Sequence, residues 1–591
     1  MEQACFLLKP YEAYTGRQKK NWSRFSWAAF ALAFLYMLWR APYGFASFDE
    51  SFHLSVAYRL TQGAALFAEE WHGSQMSGFL LYPLMRLFLA VNPDGEGMVL
   101  TFRYAYAVVA ALVGLFVYFS SRKICPPAAL AASLMLMLFA PYSVRALNYN
   151  SMGVLLVSAA CFSAAAREPN RRNMALCGLF FAGAVLCCPY LLGVFLIYAL
   201  SVPVVGCLAR KQGKQRLYAF SGSGFFAFCL GAGILFVLFC AFLFSRTGIR
   251  ELLENIPYIL NDPEHGSVDF LYNCKRYLGA FFRSSSDAPA VIFACGALLA
   301  VLALDRGRSR RRGFYLLVSL LLTAVYCRQT FIDPNVNCFM FPLCIPGFFA
   351  FLLCREKQWG LFTQVFVPGL LYSICMHFTS NQWYYAICQA FAVSSAASVF
   401  FLAQLARELT QGREMQGRKA LPRLAPLALA LLLLGQLSVQ VVYGMIHVDY
   451  EPSVWKLDCR VENGIQKGVI TEAAKEQRYQ AVLADTAAMR QEEGNYSLYF
   501  SDDIWLMLGD KKPTAAYSAW LGFEAPELSA KRVLEYWRLY PEKLPENIYV
   551  KKEFYYGYRE SFYGESLVPL FAALGYDLRE GETGWFLRRI S

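Results

Sequence analysis

Two adjacent carboxylates, Asp49 and Glu50, follow the first long apolar run of this chain, in the stretch YGFASFDESFHL. An imidazole, His53, comes four residues after Asp49. In a helix, residues four apart share a face and neighbours diverge. Asp49 and His53 would then act together while Glu50 does something else. A carboxylate and an imidazole on one face could together form a polar site. Ser47-Phe48-Asp49-Glu50 also fits a capping box, Ser-x-x-Glu, opening a helix that runs to Gln62 and stops at Gly63. In that arrangement Glu50 reaches back to the Ser47 amide. Asp49 lies in the first turn, where the helix dipole favours its ionised form.

The other groups able to do chemistry are cations near the outer ends of apolar segments. They are Arg59, Arg103, Arg145, Lys275, Arg276, Arg283 and Arg328. Arginine stays charged and can fork onto phosphate oxygens. Near the end of a span the same side chain also snorkels to the interface. The stretches at 327–337 and 377–385 are polar turns that could line a cavity, and Ser501-Asp502-Asp503 reads as an N-cap before IWLML.

The elements that must position these residues are membrane helices. Of the 591 residues 57% are hydrophobic and only 17% charged, against about 25% charged in soluble proteins. The net charge of +12 sits in short loops between apolar runs, where it sets topology. No basic stripe interleaved with aromatics is present, so nucleic acid is not an expected partner. Most of the 18 cysteines fall within apolar runs, and no CxxC or Cys/His grouping has zinc spacing. No metal site is expected from the residues.

About thirteen spans are predicted, each near the 20 apolar residues that a crossing needs: 23–42, 98–120, 127–145, 151–166, 174–188, 190–208, 218–245, 288–304, 313–331, 338–354, 360–377, 384–406 and 423–444. The pair meeting at Pro189 also reads as one kinked helix. The first run has no small-residue cleavage site and is expected to remain as a span. With a cytoplasmic N-terminus, the loops rich in Lys and Arg, such as DRGRSRRRG and RELTQGREMQGRKALPR, all fall inside. Residues 75–91 would invert every later loop if they crossed. They are expected to lie in the outer membrane face, with Arg86 avoiding the bilayer centre. The plan is therefore a polytopic helical membrane protein with a transmembrane part, 1–445. A first outer loop, 42–97, carries the acidic pair and interfacial helices, and IRELLENIPYIL is an amphipathic piece of a later outer loop. Residues 446–591 read as an extracytoplasmic mixed α/β domain.

Beyond composition, FDESFHLSVAYRLTQGAALFAEEWHGSQMSGFLLYPLMRLF followed by FRYAYAVVAALVGLFVY resembles the first outer loop of GT-C membrane glycosyltransferases. The similar branches are the protein O-mannosyltransferases, the aminoarabinose transferases and the lipopolysaccharide-core galacturonosyltransferases. The resemblance rests on Asp49-Glu50, Gly63, Trp71, Pro83-Leu84 and Arg103, and past Arg103 it is one of plan. It implies a GT-C fold in the plasma membrane and transfer of a sugar from a polyprenyl-phosphate donor to a hydroxyl acceptor on a glycan, lipid or protein, with inversion. It also implies Asp49 as base, paired with Glu50, and a substrate site drawn from His53 and the outer cations. The chain departs from the family at Tyr82-Pro83, where relatives carry two prolines. It departs again at Asn148 and Asn150, where relatives often carry an acidic residue, which leaves the acceptor side and a divalent metal open. No other cofactor is implied. A transporter of lipid-linked glycans and a non-catalytic scaffold of the same fold are the alternatives. The absence of an internal repeat argues against the transporter.

Overall fold

The computed structural model describes residues 11–46, 48–165, 170–211, 219–260, 269–283, 288–305, 311–332, 341–379, 383–411, 421–446, 451–491, 495–515, 526–552 and 560–590. Each of the thirteen predicted spans falls on a helix. Among the described residues, six helices are long and apolar enough to cross a membrane, the 24-residue Met98–Ser121 and the 23-residue Gly222–Phe244 among them. The protein is embedded in a membrane by many helices. α1, Gly16–Arg40, opens on a reciprocal cap in which the Thr15 hydroxyl accepts from the Gln18 amide and the Gln18 side chain accepts from the Thr15 amide.

The span predicted at 127–145 stops early, as helix Pro126–Leu138. Pro141 explains the stop: it lacks an N–H, and it pushes Ala140 into an extended conformation with φ −118°. The chain then makes a single turn, Pro141–Ser143, that ends with Ser143 at φ 63°. The segment around Pro189 is likewise two helices, Arg171–Cys187 and Leu192–Lys211. Helix Arg171–Cys187 packs against Gly222–Phe244 at backbone distance. A Cβ on Gly178 would collide with the Phe228 carbonyl, and one on Gly231 with the Ala175 carbonyl. Small residues at helix crossings in lipid permit this approach.

The first outer loop builds α2, Phe48–Thr61, and α3, Ser77–Val91. Their contact is close at Gly78, which faces Val56 and Leu60. α3 buries Ser77, Gly78, Leu81 and Met85 and leaves Arg86 exposed. Helix α2 starts and ends near the predicted bounds. Its predicted cap, Ser47, lies outside the described residues.

The C-terminal part contains a four-stranded sheet of β3 (Ser497–Phe500), β4 (Asn547–Lys551), β6 (Gly584–Arg589) and β5 (Tyr576–Glu580), in that spatial order, after a short pair β1 (Cys459–Arg460) and β2 (Ile470–Thr471). Strands β3 and β4 are parallel and the other two pairings antiparallel. This part sits on the first outer loop. Backbone bonds join Ile470 to Pro42 and Gly44, at 2.7 and 2.8 Å. Tyr58 and Gln62 of α2 both donate to the Asp510 carbonyl, at 2.9 Å. The loop beyond α2 meets it as well: Glu69 pairs with Lys543, and the Trp71 ring meets that of Tyr536 edge-on at 5.6 Å. The predicted cap at Asp503 makes no side-chain bond to a backbone N–H of the turn Ile504–Gly509. Asp502 and Asp503 instead hold Lys551, and Asp503 also accepts from the Trp505 ring N–H at 3.0 Å. The buried Lys551 ammonium draws the carboxylates away from the helix end.

Candidate functional site

Where α1 meets the first outer loop, an open cleft of about 310 Å³ is lined by Arg40, Tyr43, Gly44, Glu50, Arg103 and Arg145, with Ser143 and Val144 opposite. Its floor is a buried ion pair. Arg103, on helix α4 (Met98–Ser121), donates from Nε to Glu50 Oε1 and from Nη2 to Glu50 Oε2, both at 2.8 Å. Its Nη1 donates to the carbonyls of Ala41 at 3.0 Å and Gly44 at 2.7 Å. The second arginine, Arg40, donates to the Tyr43 carbonyl at 2.6 Å and to the Gly444 carbonyl. The 41–44 turn is thus held from both sides, and Gly44 takes φ 97°, which a side chain would strain.

Arg145 differs from both. Its Nη1 is buried and has no hydrogen-bond partner among the described residues. Its guanidinium lies 5.8 Å from the centre of the Tyr36 ring, a cation–π approach. A side chain at Gly444 would occupy the place of Arg145 Nη2. Arg145 and Ser143 also line a second cleft of about 330 Å³, with Leu138, Phe139, Ala140, Gln440 and Tyr443. Arg145 therefore stands at the junction of a polar cleft and a more apolar one.

Asp49 and His53 stand four residues apart on α2, as expected, but the Asp49 side chain lies outside the described residues. His53 is fully buried. Its Nδ1 meets the Ser77 hydroxyl at 3.2 Å, and its ring lies 4.7 Å from that of Tyr149. Burial, with His72 nearby, holds its pKa well below the usual histidine value. The imidazole is therefore neutral at physiological pH. Arg59 is taken up within the loop: it pairs with Glu70 at 3.1 Å and donates to the Glu69 carbonyl at 2.7 Å. Glu70 in turn accepts from the Trp71 and His72 amides. Arg59 thus pins the loop that carries Trp71.

Lys275 and Arg276 lie on helix Phe270–Arg283, Lys275 exposed and Arg276 half-buried, and neither lines the two clefts. Arg328 falls on helix Arg312–Ile332 and Arg283 ends Phe270–Arg283; both side chains lie outside the described residues. The turns predicted at 327–337 and 377–385 lie largely outside them as well. Among the described residues, no group of three or more His, Cys, Asp or Glu is placed to hold a metal ion.

The sequence marked Glu50, Arg103 and Arg145 but not Arg40, which shares the first cleft with them, nor Gln440 and Tyr443, which line the second. Arg40 ends the first apolar run, which was a usable signal. Gln440 and Tyr443 lie about 300 residues from their partners in the chain, as the Gln440 bond to the Met135 carbonyl shows, and nothing local marks them.

No family model matches the chain, and no curated protein matches it. In structure the chain is similar to ArnT from Cupriavidus metallidurans. The crystal structure of that protein bound to undecaprenyl phosphate superposes with a TM-score of 0.43 at 12% identity, over 97% of this chain and 98% of that one. The apo structure gives a TM-score of 0.36 at 12% identity, over 96% and 98%.

Proposed function

We propose that the chain is a glycosyltransferase of the GT-C type, moving a sugar from a polyprenyl-phosphate donor to a hydroxyl acceptor at the outer face of the plasma membrane. The supporting observation is Arg145, a cation with a buried N–H group unpartnered among the described residues, at the junction of a polar and a more apolar cleft. A prenyl phosphate has that shape: an anionic head on an apolar tail. Arg145 would bind the phosphate, and the tail would run along Leu138, Phe139 and Tyr443. Arg103 and Arg40 hold the turn and add positive potential, while Glu50 offsets one of them.

In the reaction the acceptor oxygen attacks the anomeric carbon as the bond to the phosphate oxygen breaks on the opposite side, which inverts the configuration. The acceptor proton passes to Asp49, and the pair of electrons leaves with the polyprenyl phosphate. Charge grows on that phosphate in the transition state, where a fixed guanidinium is most effective. A first-turn carboxylate is a weak base, so Asp49 would orient the hydroxyl and take the proton late. Thirteen crossings with the C-terminal part outside belong to the same proposal, since they put Asp49, Arg145 and the C-terminal sheet on one side.

The test is a native mass spectrometry titration of the full-length protein in detergent with undecaprenyl phosphate. Saturable binding is expected, weakened at least about tenfold by Arg145→Ala. Equal binding by the variant would overturn the phosphate assignment.

A further inference from the structure

Directly after Arg145 the chain enters a group of buried polar atoms that the transfer chemistry above does not use. Asn148 caps the helix Tyr149–Ala164 with its Oδ1, which accepts from the Ser151 amide at 2.7 Å. Its Nδ2 is buried without a partner among the described residues. Two residues on, Asn150 Oδ1 accepts from Gln389 Nε2 at 2.9 Å, and the same Nε2 reaches the Tyr372 hydroxyl at 3.1 Å. That leaves Asn150 Nδ2 and Gln389 Oε1 buried and unpartnered among the described residues, while the buried Tyr190 hydroxyl stands beside the Cys188 thiol and the Tyr372 hydroxyl. Tyr190 stacks on Tyr372 with ring centres 6.0 Å apart. The cluster joins the first outer loop through Tyr149, whose ring lies 4.7 Å from that of His53. His53 Nε2 is a further buried atom without a partner among the described residues.

Asn150 and Gln389 thus share one buried region with Tyr372 and Tyr190, His53 adjoins it through Tyr149, and Asn148 flanks it two residues away in the chain. Asn148, Asn150 and Gln389 are at most 2% exposed. Buried polar atoms are almost always hydrogen-bonded, so a cluster of exceptions calls for an occupant. The inventory describes it. Two amide N–H groups need acceptors, one amide oxygen needs a donor, and one phenol and one imidazole nitrogen complete the set. Sugar hydroxyls both donate and accept, and so satisfy all of these. No carboxylate or cation belongs to the set, so a charged ammonium would be stripped of water here with nothing to balance it. Asn148 is three residues from Arg145, within about 11 Å along an extended chain. A glycosyl phosphate held at Arg145 therefore places its ring within reach.

We propose, resting on the glycosyltransferase reading, that the Asn148, Asn150, Tyr190 and Gln389 cluster receives the ring of the transferred sugar. It selects a neutral, hydroxyl-bearing sugar over a cationic amino sugar. Asn148 and Asn150, neutral amides that offer an ammonium no counter-charge, set this choice.

The test titrates the full-length protein with three lipids by native mass spectrometry: undecaprenyl phosphate, the same lipid bearing a neutral hexose, and the same lipid bearing a 4-amino-4-deoxypentose. The hexosyl lipid is expected to bind about tenfold tighter than the bare lipid, and the amino sugar to gain nothing. Tyr190→Phe removes only the hydroxyl and keeps the ring stack on Tyr372, so the fold is retained. It and Gln389→Leu should abolish the hexose gain while leaving bare-lipid binding unchanged. A preference for the amino sugar, or a hexose gain that survives both variants, as it would if the cluster held buried water only, overturns the assignment. Binding of bare lipid with no sugar preference overturns the cluster alone. Binding of none of the three overturns the glycosyltransferase reading with it.

Discussion

Replacing Glu50 by glutamine removes the negative half of a pair whose side chains are 3% and 7% exposed. The substitution keeps the volume and one carbonyl oxygen. It turns an NH₂ toward a guanidinium that has only donors, so one of the two 2.8 Å bonds is lost and the other loses its charge. Breaking a buried pair by removing one partner costs about 3–5 kcal/mol. Arg103 keeps its bonds to the Ala41 and Gly44 carbonyls, which places the expected loss near the lower end, at about 3 kcal/mol. Arg103→Met should cost a similar amount, because it strands those two carbonyls as well as Glu50. The double variant Glu50→Gln, Arg103→Met should lose clearly less than the sum of the two singles, since no charge is left alone. Unfolding of the purified full-length protein by SDS titration in mixed micelles measures each value. A loss within about 0.5 kcal/mol of wild type for Glu50→Gln, the range of an ordinary surface change, would show that the pair does not organise the cleft.

Three further outcomes follow from the same geometry. His53 is buried with its pKa held below the unfolded value, so the unfolded chain binds the proton first as pH falls. The stability that neutral His53 contributes is complete above about pH 6.5 and declines below it, toward the folded pKa. His53→Phe should flatten that decline in thermal-unfolding profiles between about pH 7 and 5, and an unchanged slope would refute it. Gly231→Leu should lower stability by about 1–3 kcal/mol or more, since even a Cβ there meets the Ala175 carbonyl; an unshifted SDS midpoint would count against the close packing. Lys543→Met leaves Glu69 without its cation. It should speed hydrogen exchange in residues 62–76 at least about threefold with the inner helix ends unaffected. Exchange unchanged in that loop would show that the C-terminal part does not hold it.

Local patterns carried much of the fold. The apolar runs fell on helices, IRELLENIPYIL became the helix Ile249–Leu260, and NIYVK became β4 with the bounds expected. Punctuation by proline was read less well. Pro141 ended a predicted span at Leu138 because its ring acts on the residue before it, an effect that a hydropathy window averages away. At the site the sequence marked which residues can carry charge but not what they face. The partner of Glu50 lies 53 positions away, and the carbonyl that holds Arg40 lies 404 away. Only the packed helices bring them together. The consequence is largest for the cations: Arg103 and Arg59 are saturated by carboxylates and carbonyls, whereas Arg145, with the same residue type and a similar position in its loop, keeps a buried N–H unpaired among the described residues. The unpaired amides at Asn148 and Asn150 were visible in the sequence only as a missing acid.

The central claim is that sugar leaves a polyprenyl phosphate in this protein. The most direct measurement incubates the purified full-length chain with hexosyl undecaprenyl phosphate and a membrane extract as the source of acceptor, and follows the release of bare undecaprenyl phosphate by mass spectrometry. Wild type should release it. Asp49→Asn should bind the donor equally and release it at least about a hundredfold more slowly, the share of a general base. A wild-type protein that binds the glycosyl lipid and never releases its sugar would make the chain a scaffold and contradict the account.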